Sequence, residues 1–177
     1  MATLAITVIG VDRPGIVAAV TGVLVDRGYN LEDTSMSILR GHFAMVLIVA
    51  APDQVDAEGL EREMAGATAA MGLVVAVRLV GEAAPASHVG EAWTLVVYGA
   101  DHPGIVHGIT AVLADLGVNI VDLTTRVTGG ASPVYAMLME VTLGVGLAPA
   151  EVEARLGQEA SALGVDYSLH PSEPDIL

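Results

Sequence analysis

The chain contains no cysteine and no lysine among its 177 residues. The first absence excludes disulfides, thiolate nucleophiles and thiolate metal sites, and it fits a cytoplasmic location. The second leaves seven arginines as the whole basic complement, against 21 acidic residues, for a formal net charge of −14. Neutralising phosphates is what gives nucleic-acid binders their affinity, so a surface of this sign argues against direct contact with DNA or RNA. An anionic membrane surface is disfavoured for the same reason. Aromatic residues make up only 3% of the chain while hydrophobic residues reach 53%, so the core must be built from aliphatic side chains and methionine. The longest uncharged runs, such as 64–77, contain Gly or Thr and read as amphipathic elements, so no transmembrane helix is expected. The opening MATLAITVIG lacks the basic start and cleavage site of a signal peptide. Neither G-x-G-x-x-G nor G-x-x-x-x-G-K-[ST] occurs, so no nucleotide loop is present.

What the chain does have is a repeat. Residues 10–31, GVDRPGIVAAVTGVLVDRGYNL, and 99–120, GADHPGIVHGITAVLADLGVNI, agree at 12 of 22 positions, without a gap, at an offset of 89. A repeat of this length implies two copies of one supersecondary unit. We assign a first domain to 1–80, a linker to 81–90, a second domain to 91–170 and a tail to 171–177. The linker GEAAPASHVG lacks periodicity, and the tail has two prolines and two acids.

Within the first copy, TLAITVIG (3–10) reads as a mostly buried strand ending on Gly. Pro14 sits where a helix can begin, and Ile16, Val17, Val20, Val23 and Leu24 form one apolar helical face. Gly28 suits a helix C-cap. Strands are expected over 29–38, 43–50 and 73–80, with a helix over 55–71 weakened by Gly59 and Gly66. The second copy predicts strands over 93–99, 118–127, 134–143 and 165–170, and helices over 103–116 and 148–163. Its turn at 128–132 is three residues longer than its counterpart. The order β-α-β-β-α-β, twice, predicts an α+β fold of two ferredoxin-like domains. Each would be an antiparallel sheet with both helices on one face. Each sheet then has a second, bare face. With 53% apolar content in small domains, that face or the sheet edges should drive a homodimer.

The repeated turn has a chemistry of its own. Asp12, Arg13, Pro14, Gly15, Ile16 and Val17 lead from strand into helix, so the N–H groups of Gly15, Ile16 and Val17 lack intrahelical partners. With the helix dipole behind them, they suit a small carboxylate. Asp12 could receive an ammonium, and Asn30 offers both a donor and an acceptor. Asp101, His102, Pro103, Gly104, Ile105, Val106 and Asn119 repeat the set. The same residues also have structural readings. Asp12 would cap the helix, Gly15 would allow tight helix–sheet packing, and Asn30 would tie a turn.

The runs Gly10–Val17 and Gly28-Tyr29-Asn30-Leu31, with Gly99–Val106 and Gly117-Val118-Asn119-Ile120, resemble the signature of ACT domains, small regulatory modules that bind amino acids. The resemblance covers nearly the whole chain. A tandem pair without an appended enzyme resembles the glycine cleavage system transcriptional repressor group. It implies a regulatory sensor that binds a small amino acid and relays occupancy to a partner protein, such as a transcription factor or an enzyme. In that family, ligands bind where one domain's first loop and helix start meet the second strand of a neighbouring domain. That carries over to Asp12–Val17 with Asn30 and Leu31, and to Asp101–Val106 with Asn119 and Ile120. Arg13 against His102 and Glu32 against Val121 are departures between the copies. A rival reading is an interaction module whose sites are vestigial.

Other features carry less. His102 and His107 stand five apart, about 140° around a helix, which does not suit joint metal ligation. His88 reads as a solvated linker residue. Met36, Met45, Met64, Met71, Met137 and Met139 read mostly as core fillers. No Ser/His/Asp set or carboxylate pair suggests catalysis, and no metal or cofactor is expected.

Overall fold

The computed structural model describes residues 1–81, 90–128 and 133–172. Most of the expected linker (82–89), most of the longer turn (129–132) and most of the tail (173–177) therefore lie outside the described residues, as does His88. The chain divides into two compact units, Met1–Ala84 and Pro85–Leu177.

The first unit contains β1 (Ala2–Val11), α1 (Ile16–Asp26), β2 (Asn30–Leu39), β3 (His42–Ala51), α2 (Ala57–Thr68) and β4 (Val74–Val80). A short 3-10 turn, Ala69–Met71, separates α2 from β4. The second contains β5 (Gly90–Ala100), α3 (Ile105–Asp115), β6 (Asn119–Val127), β7 (Val134–Gly144), α4 (Pro149–Leu163) and β8 (Val165–Pro171). The sheets are antiparallel and run β2-β3-β1-β4 and β6-β7-β5-β8. The expected order and the ferredoxin-like pattern are thus present in both copies.

Alternation in the strands decides what each unit buries. Leu4, Ile6 and Val8 of β1, and Phe43, Met45, Leu47 and Val49 of β3, face Ile16, Val20, Val23 and Leu24 of α1 and Leu60 and Met64 of α2. The second core repeats this with Leu95 and Val97, Met137, Met139 and Val141, Ile109 and Leu113, and Val152 and Leu156. Five of the six methionines read as core fillers, Met45, Met64, Met71, Met137 and Met139, fill this role or pack beside it, whereas Met36 on β2 is exposed.

Each first helix ends as the sequence suggests. Gly28 and Gly117 take positive φ. The next N–H groups, of Tyr29 and Val118, donate back to Leu24 and Leu113 at 2.9 Å, while Gly28 and Gly117 donate to Val25 and Ala114. This is the Schellman arrangement, which satisfies the last carbonyls of the helix. The second helices also match. Glu63 of α2 pairs with Arg27 at the end of α1, and Arg155 of α4 pairs with Asp115 at the end of α3.

Candidate functional site

The helix starts differ from the expectation in a specific way. Pro14 and Pro103 are not the first helical residues. Gly15 and Gly104 stand at the N-cap with φ of 94° and 105°, and the helices begin at Ile16 and Ile105. A left-handed N-cap costs nothing at Gly and is strained at any residue with a Cβ. Space is not the reason for these glycines. A Cβ on Gly104 would meet nothing within 4 Å, and one on Gly15 would make only an ordinary contact with Met71. The tight-packing reading of Gly15 therefore fails, and backbone conformation takes its place.

Neither helix has a side-chain cap. Asp12 does not cap α1. Instead its N–H donates to the Gly41 carbonyl at 2.9 Å, tying the loop to the β2–β3 turn. Among the described residues, the N–H groups of the first helical turn are thus free of side-chain acceptors in both copies. Ile16 and Ile105 turn their side chains into the two cores, so they can offer a ligand only their backbone. Val17 and Val106, at 40% and 38% exposure, flank the same turn from outside.

Asn30 is exposed and Asn119 half-buried, and among the described residues neither amide side chain has a hydrogen-bond partner. The turn-tying reading of Asn30 is therefore not what the structure shows. Leu31 and Ile120 follow at the same strand starts, Leu31 exposed and Ile120 packed against the second core.

The structure does not bring the loop and the asparagine of one unit together. Asn30 is level with Ala50 and hence with Thr3, eight residues along β1 from Val11, where the loop begins. At 3.3 Å per residue that is about 26 Å. Asn119 is level with Thr142 and Ala92, again eight residues from Ala100. Each unit holds the two parts at opposite ends of its sheet. Sequence spacing alone could not reveal this, because it depends on the first helix returning along the sheet so that β2 runs in the same direction as β1, and β6 as β5.

The two loops also differ electrostatically. Arg13 is exposed and has no ion-pair partner among the described residues. His102 lies with Nδ1 3.0 Å from the Pro103 carbonyl and Nε2 2.8 Å from the Leu163 carbonyl at the end of α4. Both neighbours are acceptors, and only an imidazolium can donate to both. The Pro103 and Leu163 carbonyls raise the His102 pKa, with Asp101 adding a smaller charge effect. A folded pKa above the unfolded value means stabilisation fully present below the ordinary histidine value, about 6.5. It is lost as pH rises through the folded value. His102→Gln should therefore lower stability at pH 5.5 more than at pH 8.5, as read by denaturant titration at both pH values. An equal loss at both would show that the ring acts only by packing.

Among the described residues no three His, Asp or Glu side chains are grouped to hold a metal, and no helix is long and apolar enough to cross a membrane.

Comparison with known proteins accounts for both units. Residues 2–78 match one family model of the ACT domain, and residues 93–154 match another. Neither model describes a catalytic domain. A UPF0237 protein of Methanopyrus kandleri is 51% identical over 49 residues, which is 28% of this chain and 54% of that protein. A UPF0237 protein of Streptococcus pneumoniae is 38% identical over 58 residues, 33% of this chain and 66% of its own length. The chain thus spans about half to two thirds of these relatives. Among solved structures, an unknown protein from Galdieria sulphuraria is 28% identical with a TM-score of 0.80, covering 97% of this chain and 99% of that one. A candidate glycine cleavage system transcriptional repressor shares the fold at 20% identity and a TM-score of 0.68, over 96% of each chain. With two matched models that together span most of its length and the same strand order in each half, the chain belongs to the ACT-domain family, as two ACT domains in tandem.

Proposed function

We propose that the protein is a non-catalytic sensor that binds a small amino acid and signals its occupancy to a partner protein, a transcription factor or an enzyme. The observation that carries this reading is the pair of unfilled hydrogen-bonding groups kept in both copies. One is the uncapped helix start after Gly15 or Gly104, and the other is the free amide of Asn30 or Asn119. A helix start attracts a carboxylate, and an amide can serve either end of an amino acid. Because one unit holds these groups about 26 Å apart, no single unit offers both of its own groups to one small amino acid. The partner would carry any contact with nucleic acid, given the chain's charge.

The affinity follows from the groups on offer. A few charge-assisted hydrogen bonds contribute roughly 1.5–3 kcal/mol each. After the cost of association, binding falls in the micromolar to millimolar range. At about 100 times Kd, ligand adds about 2.7 kcal/mol to stability, and each kcal/mol moves Tm by roughly 4–8 °C for a domain of this size. The test is a thermal-shift screen of the twenty amino acids on protein refolded without ligand. At least one should raise Tm, and Asn30→Ala and Asn119→Ala should each reduce that rise while leaving the unliganded Tm nearly unchanged. A flat response to all twenty would favour an interaction module with vestigial sites.

A further inference from the structure

The outer face of the second sheet, turned away from α3 and α4, carries an ordered pattern of charge. Register places its side chains in three rows across the strands β6, β7, β5 and β8. The first row is Asp122, Glu140, Thr94 and His170. The middle row is Thr124, Leu138, Val96 and Ser168. The last is Arg126, Ala136, Tyr98 and Asp166. The corners therefore alternate, acid and histidine at one end, arginine and acid at the other. The centre is apolar and open, with Leu138 46% and Tyr98 44% exposed. Among the described residues, none of Asp122, Arg126, Glu140, Asp166 and His170 has a hydrogen-bond or ion-pair partner. Asp122 and Glu140 are direct cross-strand neighbours of like charge, which is unfavourable unless a cation approaches them.

Such a face is complementary to itself. Turned over about an axis running along the strands, β6 falls on β8 and β7 on β5. Arg126 then meets Asp166, Asp122 meets His170, and Thr124 meets Ser168. In the centre the large Tyr98 falls on the small Ala136, and Leu138 falls on Val96. Sheets packed face to face keep their strands within about 30°. Over half the width of a four-stranded sheet, that angle displaces the corners by only a few ångströms. The corresponding face of the first sheet lacks this pattern. Two of its rows, Ser37, Ala44, Ile9, Val74 and Ser35, Val46, Thr7, Ala76, are uncharged; the third, Asp33, Ile48, Ala5, Arg78, has one acid and one base at its corners, and that Arg78 is already paired with Glu61. The chain's net charge of −14 makes copies repel, so self-association needs a surface where opposite charges meet.

We propose that two copies of the chain pack through this face, sheet on sheet, about a two-fold axis along the strands, with Arg126 of each copy against Asp166 of the other. The inference is independent of any ligand, so its failure leaves the sensor reading untouched. The test is sedimentation equilibrium of the full chain over about 1–100 µM. The wild type should dimerise. Arg126→Glu should raise the dimer Kd at least about thirtyfold, because a two-fold interface contains the repulsive contact twice. Asp166→Arg should act similarly, and the double variant Arg126→Glu/Asp166→Arg should return Kd to within about threefold of wild type. Both side chains are exposed, so circular dichroism and Tm of the monomer should not change. A wild type that stays monomeric overturns the proposal, as does a dimer indifferent to both single variants. Rescue of Arg126→Glu by Asp122→Arg instead of Asp166→Arg would place the axis across the strands and overturn the stated arrangement.

Discussion

Phe43→Ala is expected to lower the stability of the first unit by about 3–5 kcal/mol. Phe43 is the only phenylalanine in the chain, lies 2% exposed and packs among the aliphatic side chains of the first core. A unit of 84 residues has about 4–13 kcal/mol at ordinary per-residue stability, so the loss is a large share of the total. For a domain this size each kcal/mol moves Tm by roughly 4–8 °C. The two cores share no residue, so hydrogen exchange should show the loss of protection in β1, β3 and α1 and not in β5, β7 and α3. Equal loss in both halves would mean that the cores do not unfold as separate units.

Gly99→Val should destabilise the second unit by about 1–3 kcal/mol, as an overpacked site does. A Cβ at Gly99 would stand 2.9 Å from Val165 Cγ1 and 3.2 Å from Val165 Cα, so the backbone of β8 would have to move. Val is otherwise a better strand residue than Gly, so any loss is steric. The same change at Gly10, the matching position of the repeat, meets the end of the Leu73 side chain first, while the backbone lies 3.5 Å away. A rotating leucine can yield where a strand cannot, and Gly10→Val should cost less. Denaturant midpoints of the two variants give the comparison, and an equal loss would show that Leu73 is as fixed as β8.

That pair also shows how far the sequence could be read. The repeat made Gly10 and Gly99 equivalent, and only the packing separates them. Element order, the apolar faces of α1 and α3 and the Gly28 and Gly117 caps were all legible, because periodicity and left-handed glycines are local properties. The helix start was read two residues early. Pro14 is a good first helical residue, but Gly15 at φ 94° places the cap after it. The 3-10 turn after α2 was read as part of the helix, since Met71 continues the apolar period. The linker and tail assignments also shift at their borders, because β5 already begins at Gly90 and β8 runs to Pro171. For the site, the residue types were readable but their separation was not, because it follows from strand direction. The His102 contact with Leu163 joins positions 61 residues apart, and no local pattern announces it.

The helix pairs have one more consequence, for how a duplicated chain avoids folding onto itself wrongly. Two similar halves in one polypeptide invite exchange of their helices, a common failure of tandem repeats. Glu63 and Arg155 hold matching places, each 9 residues before a left-handed glycine, Gly72 after the 3-10 turn that follows α2 and Gly164 at the end of α4. Their partners, Arg27 and Asp115, carry the reverse signs. Were α2 and α4 to trade places, Glu63 would face Asp115 and Arg155 would face Arg27. The correct assembly joins opposite charges twice, and the exchanged one joins like charges twice. Polarity reversed between the copies thus labels each helix for its own half.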